Sequence, residues 1–309
     1  MRYPLRRCMP AAGWLAAAVL LTTAAVAQTA GGEGLSPTLA NIRSTHVVRL
    51  GYRESSPPFS FLDQSNRPIG YSLELCEAIV EEIGVEVDDA NLRIDYVKVT
   101  SDDRIPAVVS NKIDLECGST TANAERGKQV AFSPLMFVAG TKLMVAKAST
   151  ISTPNDLKGK TVVVTKGTTN EQAMHAVDKK FSLGLNIVTA ADHEQSYQML
   201  VDCKADAFAT DDILLYGLIA RHKAQDKFRV TGEYLSYDPY GIMFRKGEPQ
   251  LTAVVERTFR KLGSNRDLIP LYNKWFVARM PTGEKLNVAI SPQLEESFRV
   301  LDDSPSANN

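Results

Sequence analysis

The sequence predicts an α/β protein of two lobes, each a parallel sheet with helices on both faces. Three observations predict it. The chain has 309 residues, about two domains at roughly 150 residues each. Short β-branched runs alternate with segments of helical periodicity, the rhythm of parallel sheets covered by helices. Two strand-like segments, residues 137–143 and 234–240, stand where the chain would cross between lobes. That organisation assigns residues 139–238 to one lobe and residues 41–138 plus 239–300 to the other.

The elements follow in order. Residues 1–27 read as a secretory signal. Arg2, Arg6 and Arg7 form a positive start, residues 11–26 are apolar but for Gly13, Thr22 and Thr23, and Ala25-Val26-Ala27 is a small-x-small cleavage site before Gln28. The apolar run of 16 residues is short for a membrane span, which needs about 20. Cys8 precedes that run and so does not look like a lipid-anchoring cysteine. Residues 28–40, rich in Gly, Ala, Thr and Ser, are expected to be a disordered leader, and residues 301–309 a disordered tail.

Val47–Tyr52 is the first expected strand. Ser72 is expected to cap a helix carrying Cys76, Ile79, Val80 and Ile83 on one face, with Gly84 as its stop. Residues 92–99 read as a strand, Ser101 as the cap of a short helix ended by Asn111, and residues 113–117 as a strand leading into Gly118-Ser119-Thr120-Thr121. Thr161–Thr165 is an apolar strand, and Thr168-Thr169-Asn170-Glu171 is a capping-box pattern that opens a helix. Residues 186–189 read as a strand, Asp192 as a cap, residues 205–210 as a strand, and Asp211-Asp212 as the start of a helix.

Composition narrows the function. The chain is 44% hydrophobic and 23% charged, ordinary globular usage. Formal charge is −1, and loss of the three signal arginines makes it −4. That balance excludes a broad cationic surface, so nucleic acid is not expected as a partner. Cys76, Cys117 and Cys203 include no C-x-x-C and no zinc spacing. One disulfide would leave an odd thiol, and buried free thiols fit the pattern equally. His46, His175 and His222 have no neighbours suited to a metal, so neither a metal site nor a cofactor is expected. There is no G-x-S-x-G, H-E-x-x-H or P-loop, and the chain is read as a non-enzyme.

In α/β sheets ligands bind at the carboxyl ends of strands, beside helix N-termini. Those positions hold Arg53, Ser101, Arg104, Ser119, Thr121 and Arg126 in the first half, and Thr169, His193 and Asp211 in the second. Arginine forks match carboxylates, hydroxyls complete an anion's hydrogen bonds, and an aspartate suits an ammonium. The three arginines against Asp211 sum to +2, which fits a small zwitterion with an extra negative charge. Each residue also has a plainer reading. The arginines could be surface charges, Ser119, Thr121, Thr169 and Asp211 simple caps, and His193 a solvated ring.

The ordered words resemble the periplasmic polar-amino-acid solute-binding family of ABC importers, and within it the glutamate/aspartate branch. They are Arg53-Glu54-Ser55-Ser56 with Pro58-Phe59-Ser60, Gly70-Tyr71-Ser72, Thr100-Ser101 with Arg104-Ile105-Pro106, Asp114-Leu115-Glu116-Cys117-Gly118-Ser119-Thr120-Thr121 with Glu125-Arg126, Asp156-Leu157-Lys158-Gly159-Lys160, Gly167-Thr168-Thr169, Asp192-His193, Asp211-Asp212 and Lys274-Trp275-Phe276. The resemblance covers about residues 40–290. It implies a Venus-flytrap fold of type II with two crossover hinge strands, a monomer in the periplasm, and delivery of ligand to the transmembrane subunits of an ABC permease. It further implies that Arg126, Thr121 and Thr169 hold the α-carboxylate of L-glutamate or L-aspartate. Ser119 and Asp211 would hold the ammonium, and Arg53, Ser101, Arg104 and His193 the side-chain carboxylate. The pattern departs from the family at Lys166, which could add cationic field or point to solvent, and at Asn170. Alternatives on the same scaffold are a prephenate- or arogenate-type dehydratase, a binder of another polar amino acid such as glutamine, and a sensor ectodomain.

Overall fold

The computed structural model describes residues 34–302, so the signal assigned to residues 1–27 and most of the leader and tail lie outside the described residues. Two five-stranded sheets repeat one plan. The first runs Arg93–Lys98, Val47–Tyr52, Leu115–Glu116, Met243–Arg245, Val130–Phe132. The second runs Asn186–Ala190, Thr161–Thr165, Ala207–Asp211, Thr141–Ala146, Phe228–Thr231. In each, the first three strands are parallel, as expected. The last two are antiparallel to their neighbours, so the sheets are mixed rather than purely parallel. The cause is the crossing. Thr141–Ala146 and Met243–Arg245 enter their sheets directly from the paired segments Phe137–Ala139 and Asp238–Tyr240, and so arrive from the opposite direction.

Alternation along Thr161–Thr165 shows both faces covered. Val163 packs in one apolar cluster, while Val162 and Val164 pack in another. A near-continuous apolar strand is what two covered faces require. On the crossing segments, Phe137 and Tyr240 join Phe59 and Phe276 in the main core, with Phe137 and Phe276 stacked at 4.8 Å. The crossing is thus anchored in the packing of the first sheet.

Several local expectations change. Residues 37–40, read as leader, open the helix Pro37–Thr45. Leu39 and Ile42 bury in the core, and the Thr38 hydroxyl donates to Glu248 Oε1 at 2.8 Å. Residues 301 and 302, read as tail, complete the helix Pro292–Asp302. Ser72 does not cap its helix, which is Tyr71–Val87 with Gly70 before it. The Ser72 hydroxyl instead donates to the Gly118 carbonyl at 2.7 Å. Gly84 lies inside that helix, which stops at Asp88 in left-handed geometry. Ser101 sits in a turn, and Asp103 precedes the helix Arg104–Val109. Cys76 and Cys117 form a disulfide with Cα atoms 6.2 Å apart, leaving Cys203 as an exposed free thiol. The bridge ties Tyr71–Val87 to the end of Leu115–Glu116, next to Gly118-Ser119. Among the described residues no helix is long and apolar enough to cross a membrane, and no group of three or more His, Cys, Asp or Glu could hold a metal.

Candidate functional site

The strand-end residues converge. Ser101, Arg104, Ser119, Thr121, Thr169, His193 and Asp211 line one small cavity, with Asn170 and Thr168. Arg53 and Arg126 stand outside that lining but beside it. Arg53 is close enough to Arg104 and His193 to be felt electrostatically by both. Arg126 donates to the Thr121 carbonyl at 2.8 Å and to the Gly167 carbonyl at 3.4 Å. Arg53, Arg104 and Arg126 are only 1%, 2% and 8% exposed, so they are not surface charges. His193 is buried rather than solvated.

The capping readings fail in detail. Asp211 precedes the helix Asp212–Arg221 but makes no side-chain cap bond. Its carboxylate accepts from Tyr240 Oη and from Asn170 Nδ2. The helix Thr169–Phe181 is capped by Thr168, not Thr169. Ser119 and Thr121 lead only into the short 3-10 turn Arg126–Lys128. Asp192 does cap its helix, accepting from the Gln195 amide at 2.8 Å.

The first half of the cavity is rich in donors without acceptors. Arg53 Nη1 and Nη2, Arg104 Nε, and the hydroxyls of Ser56, Ser101 and Ser119 are buried with no hydrogen-bond partner among the described residues. Buried polar groups in proteins are nearly always paired, and an unpaired buried cation is costlier still. Burial and the Arg104 charge lower the Arg53 pKa to about 10, and the same two causes lower Arg126 to about 10. An anion entering here would relieve both penalties. Gly118 makes room, since a Cβ there would meet Arg53 Cγ at 3.0 Å.

The second half is built differently. Burial, with repulsion from Asp238, raises Asp211 to about 7. Burial, with the charges of Arg53 and Arg104, holds His193 well below the usual imidazole range, so the ring is neutral. Its Nδ1 lies 2.8 Å from Thr165 Oγ1. Lys166 does not line the cavity and pairs with exposed Asp102 at 2.8 Å. Gly167, at φ +75°, passes so close that a Cβ would lie 2.7 Å from Asp102 Cα. The two halves are therefore in contact around the cavity, and a ligand of amino-acid size enters only if they part.

Several residues escaped sequence reasoning. Asp238, on a crossing segment, accepts from Thr121 Oγ1 at 3.1 Å and Thr169 Oγ1 at 2.8 Å. Each hydroxyl has one hydrogen, so a ligand carboxylate must compete with Asp238 for both. Asn170 donates to Asp211 at 2.8 Å and Thr141 at 2.7 Å, and accepts from Thr210. Asn170 therefore holds the Asp211 carboxylate in place. Fully buried Glu116 accepts from Thr120 at 2.5 Å and adds a carboxylate whose charge reaches Arg53 and Arg126. Glu116 and Asp238 bring the formal sum of these buried groups to zero with Asp211 ionised, against the +2 counted from the strand ends. A signal for Glu116 and Ser56 existed in their position inside matched words; Asp238 and Tyr240 carried none beyond their place in an expected crossing.

The chain is similar to known proteins over most of its length. Residues 48–278 match the family described as bacterial extracellular solute-binding proteins, family 3. The L-glutamate/L-aspartate-binding protein of Pseudomonas aeruginosa is 40% identical, over 90% of this chain and 94% of that one. The glutamate/aspartate import solute-binding protein of Salmonella typhimurium is 36% identical, over 88% and 91%. The solved structure of an ancestral arginine-binding protein bound to arginine superposes with a TM-score of 0.68 at 30% identity, covering 75% of this chain and 98% of that one. With a family match over most of its length and relatives at 36–40% identity, the chain belongs to the bacterial extracellular solute-binding proteins of family 3.

Proposed function

We propose that the protein binds L-glutamate or L-aspartate between its two lobes, residues 41–138 with 239–300 and residues 139–238, and delivers it in the periplasm to an ABC permease. The observation that carries the reading is the set of buried donors without acceptors at Arg53, Arg104 and Ser101. A second carboxylate satisfies them, while a neutral side chain leaves cations buried and unpaired. The names of the similar proteins agree with this ligand class.

Roles follow the charge map. Arg126 takes the α-carboxylate, with Thr121 and Thr169 turning from Asp238 toward it. Asp211 and Ser119 take the ammonium, and Arg53, Ser101, Arg104 and His193 surround the side-chain carboxylate. Ligand bridging both halves shifts the open–closed equilibrium toward closed, the form that presents both lobes to the permease.

Calorimetric titration tests the reading on protein stripped of ligand by unfolding and refolding. Glutamate or aspartate is expected to bind near micromolar, about −8 kcal/mol. Heat with glutamine or arginine and none with either acid would overturn it.

A further inference from the structure

We propose that Thr165 and Ser196 fix the tautomer of His193, so that the His193 ring takes up one proton from solution when an acidic ligand binds. This rests on the ligand class proposed above. Three short contacts form a buried chain. His193 Nδ1 lies 2.8 Å from Thr165 Oγ1, Thr165 Oγ1 lies 2.8 Å from Ser196 Oγ, and Ser196 Oγ donates to the Asp192 carbonyl at 3.0 Å. Thr165 and Ser196 are both fully buried.

Hydrogen counting gives the chain a direction. A carbonyl only accepts, so the single hydroxyl hydrogen of Ser196 is committed to Asp192. Ser196 must then accept from Thr165, whose own hydrogen is spent there. Thr165 must in turn accept from His193, which places the ring hydrogen on Nδ1. The neutral ring therefore leaves a bare lone pair on Nε2, the nitrogen that remains for the cavity.

A lone pair repels a carboxylate. The ring can serve an acidic side chain only as imidazolium, with Nε2–H as the new donor and the proton supplied by buffer. Before ligand arrives, the cations Arg53 and Arg104 and the buried setting oppose that charge. The neighbouring Phe208 ring is neutral, and the Asp192 carboxylate is held by its cap bond to Gln195. The ligand's second carboxylate supplies the missing negative charge. Thr165 and Ser196 are positioning residues: they act on ligand through the ring.

Two readouts test the proposal. Nitrogen NMR of histidine-labelled free protein should show the Nδ1–H tautomer for His193, and glutamate should protonate both nitrogens. Calorimetry at pH 8 in buffers of different ionisation enthalpy should show net proton uptake approaching one per ligand, with apparent Kd rising by up to tenfold per pH unit at full coupling. At that pH Asp211, held at about 7, is already mostly ionised and releases little. In Ser196→Ala the Thr165 hydrogen is freed for Nδ1, so the tautomer should flip to Nε2–H and the uptake should vanish while binding persists. Thr165→Val, which removes the Nδ1 partner, should also abolish the single-tautomer signature. An Nε2–H tautomer in the free wild type, binding without uptake, or unchanged uptake in both variants would overturn the proposal alone. Absence of binding to either acidic amino acid would overturn the ligand assignment as well.

Discussion

The two halves that meet at the cavity solve opposite electrostatic problems. The half built on the first sheet brings Arg53, Arg104 and Arg126 together and leaves several of their donors unsatisfied. The half built on the second sheet brings Asp211, a neutral His193 and Thr169, and satisfies them internally through Asn170, Tyr240, Thr165 and Asp238. A site divided this way has a prepaid anion demand on one side and an adjustable set of protons on the other. In the first half, the Cys76–Cys117 bridge and the Ser72–Gly118 bond tie down the segment that carries Ser119.

The largest effects are expected on the first side. Arg104→Met should weaken glutamate binding by about 2–5 kcal/mol, roughly 30-fold or more in Kd, the usual cost of removing one partner of a buried charge pair. Calorimetry checks this, and an unchanged Kd would break the division of labour. Reducing Cys76–Cys117 should lower stability by about 2–4 kcal/mol, measured by denaturant unfolding with and without reductant. Cys203, exposed and unbridged, should contribute nothing to that loss.

A smaller effect belongs to the second side. Burial and Asp238 hold Asp211 at about 7. Its folded pKa exceeds the unfolded value, so its stabilisation of the free protein is full at acid pH and is lost as pH rises through about 7. Ligand binding runs the other way, because an ammonium needs the carboxylate ionised. Below about pH 7 the proton that Asp211 releases offsets the one that His193 takes up, so affinity should level off there, and in Asp211→Asn it should keep rising as pH falls. The smallest effect is expected at Lys166, whose pair with Asp102 is exposed. Lys166→Ala should change affinity no more than a few-fold, and a large loss would show that the lysine feeds the cavity's field.

Sequence reasoning reached the first half of this comparison further than the second. Arg53, Arg104 and Arg126 were legible because strand ends and local word order place them, and because arginine has few chemical uses in a buried site. The helices and the parallel strands were legible through periodicity. Asp238 was not, because its importance lies in bonds to Thr121 and Thr169, 117 and 69 residues away. Glu116 was hidden inside a short strand whose inward face only the tertiary fold defines. The mixed direction of the sheets depends on how two crossing segments re-enter them, which local periodicity does not encode. Leader residues 37–40 were misread because small and polar residues there outweighed the Leu39 and Ile42 spacing that packs the helix onto the core.

The central claim is that the buried cations demand a second carboxylate. The ratio of Kd for glutamine to Kd for glutamate tests it most directly, since the two side chains differ in charge and hardly in shape. Measured at pH 7.5 on ligand-stripped protein, the ratio should be about a hundredfold or more, corresponding to at least about 2.7 kcal/mol. A ratio near one would contradict the account.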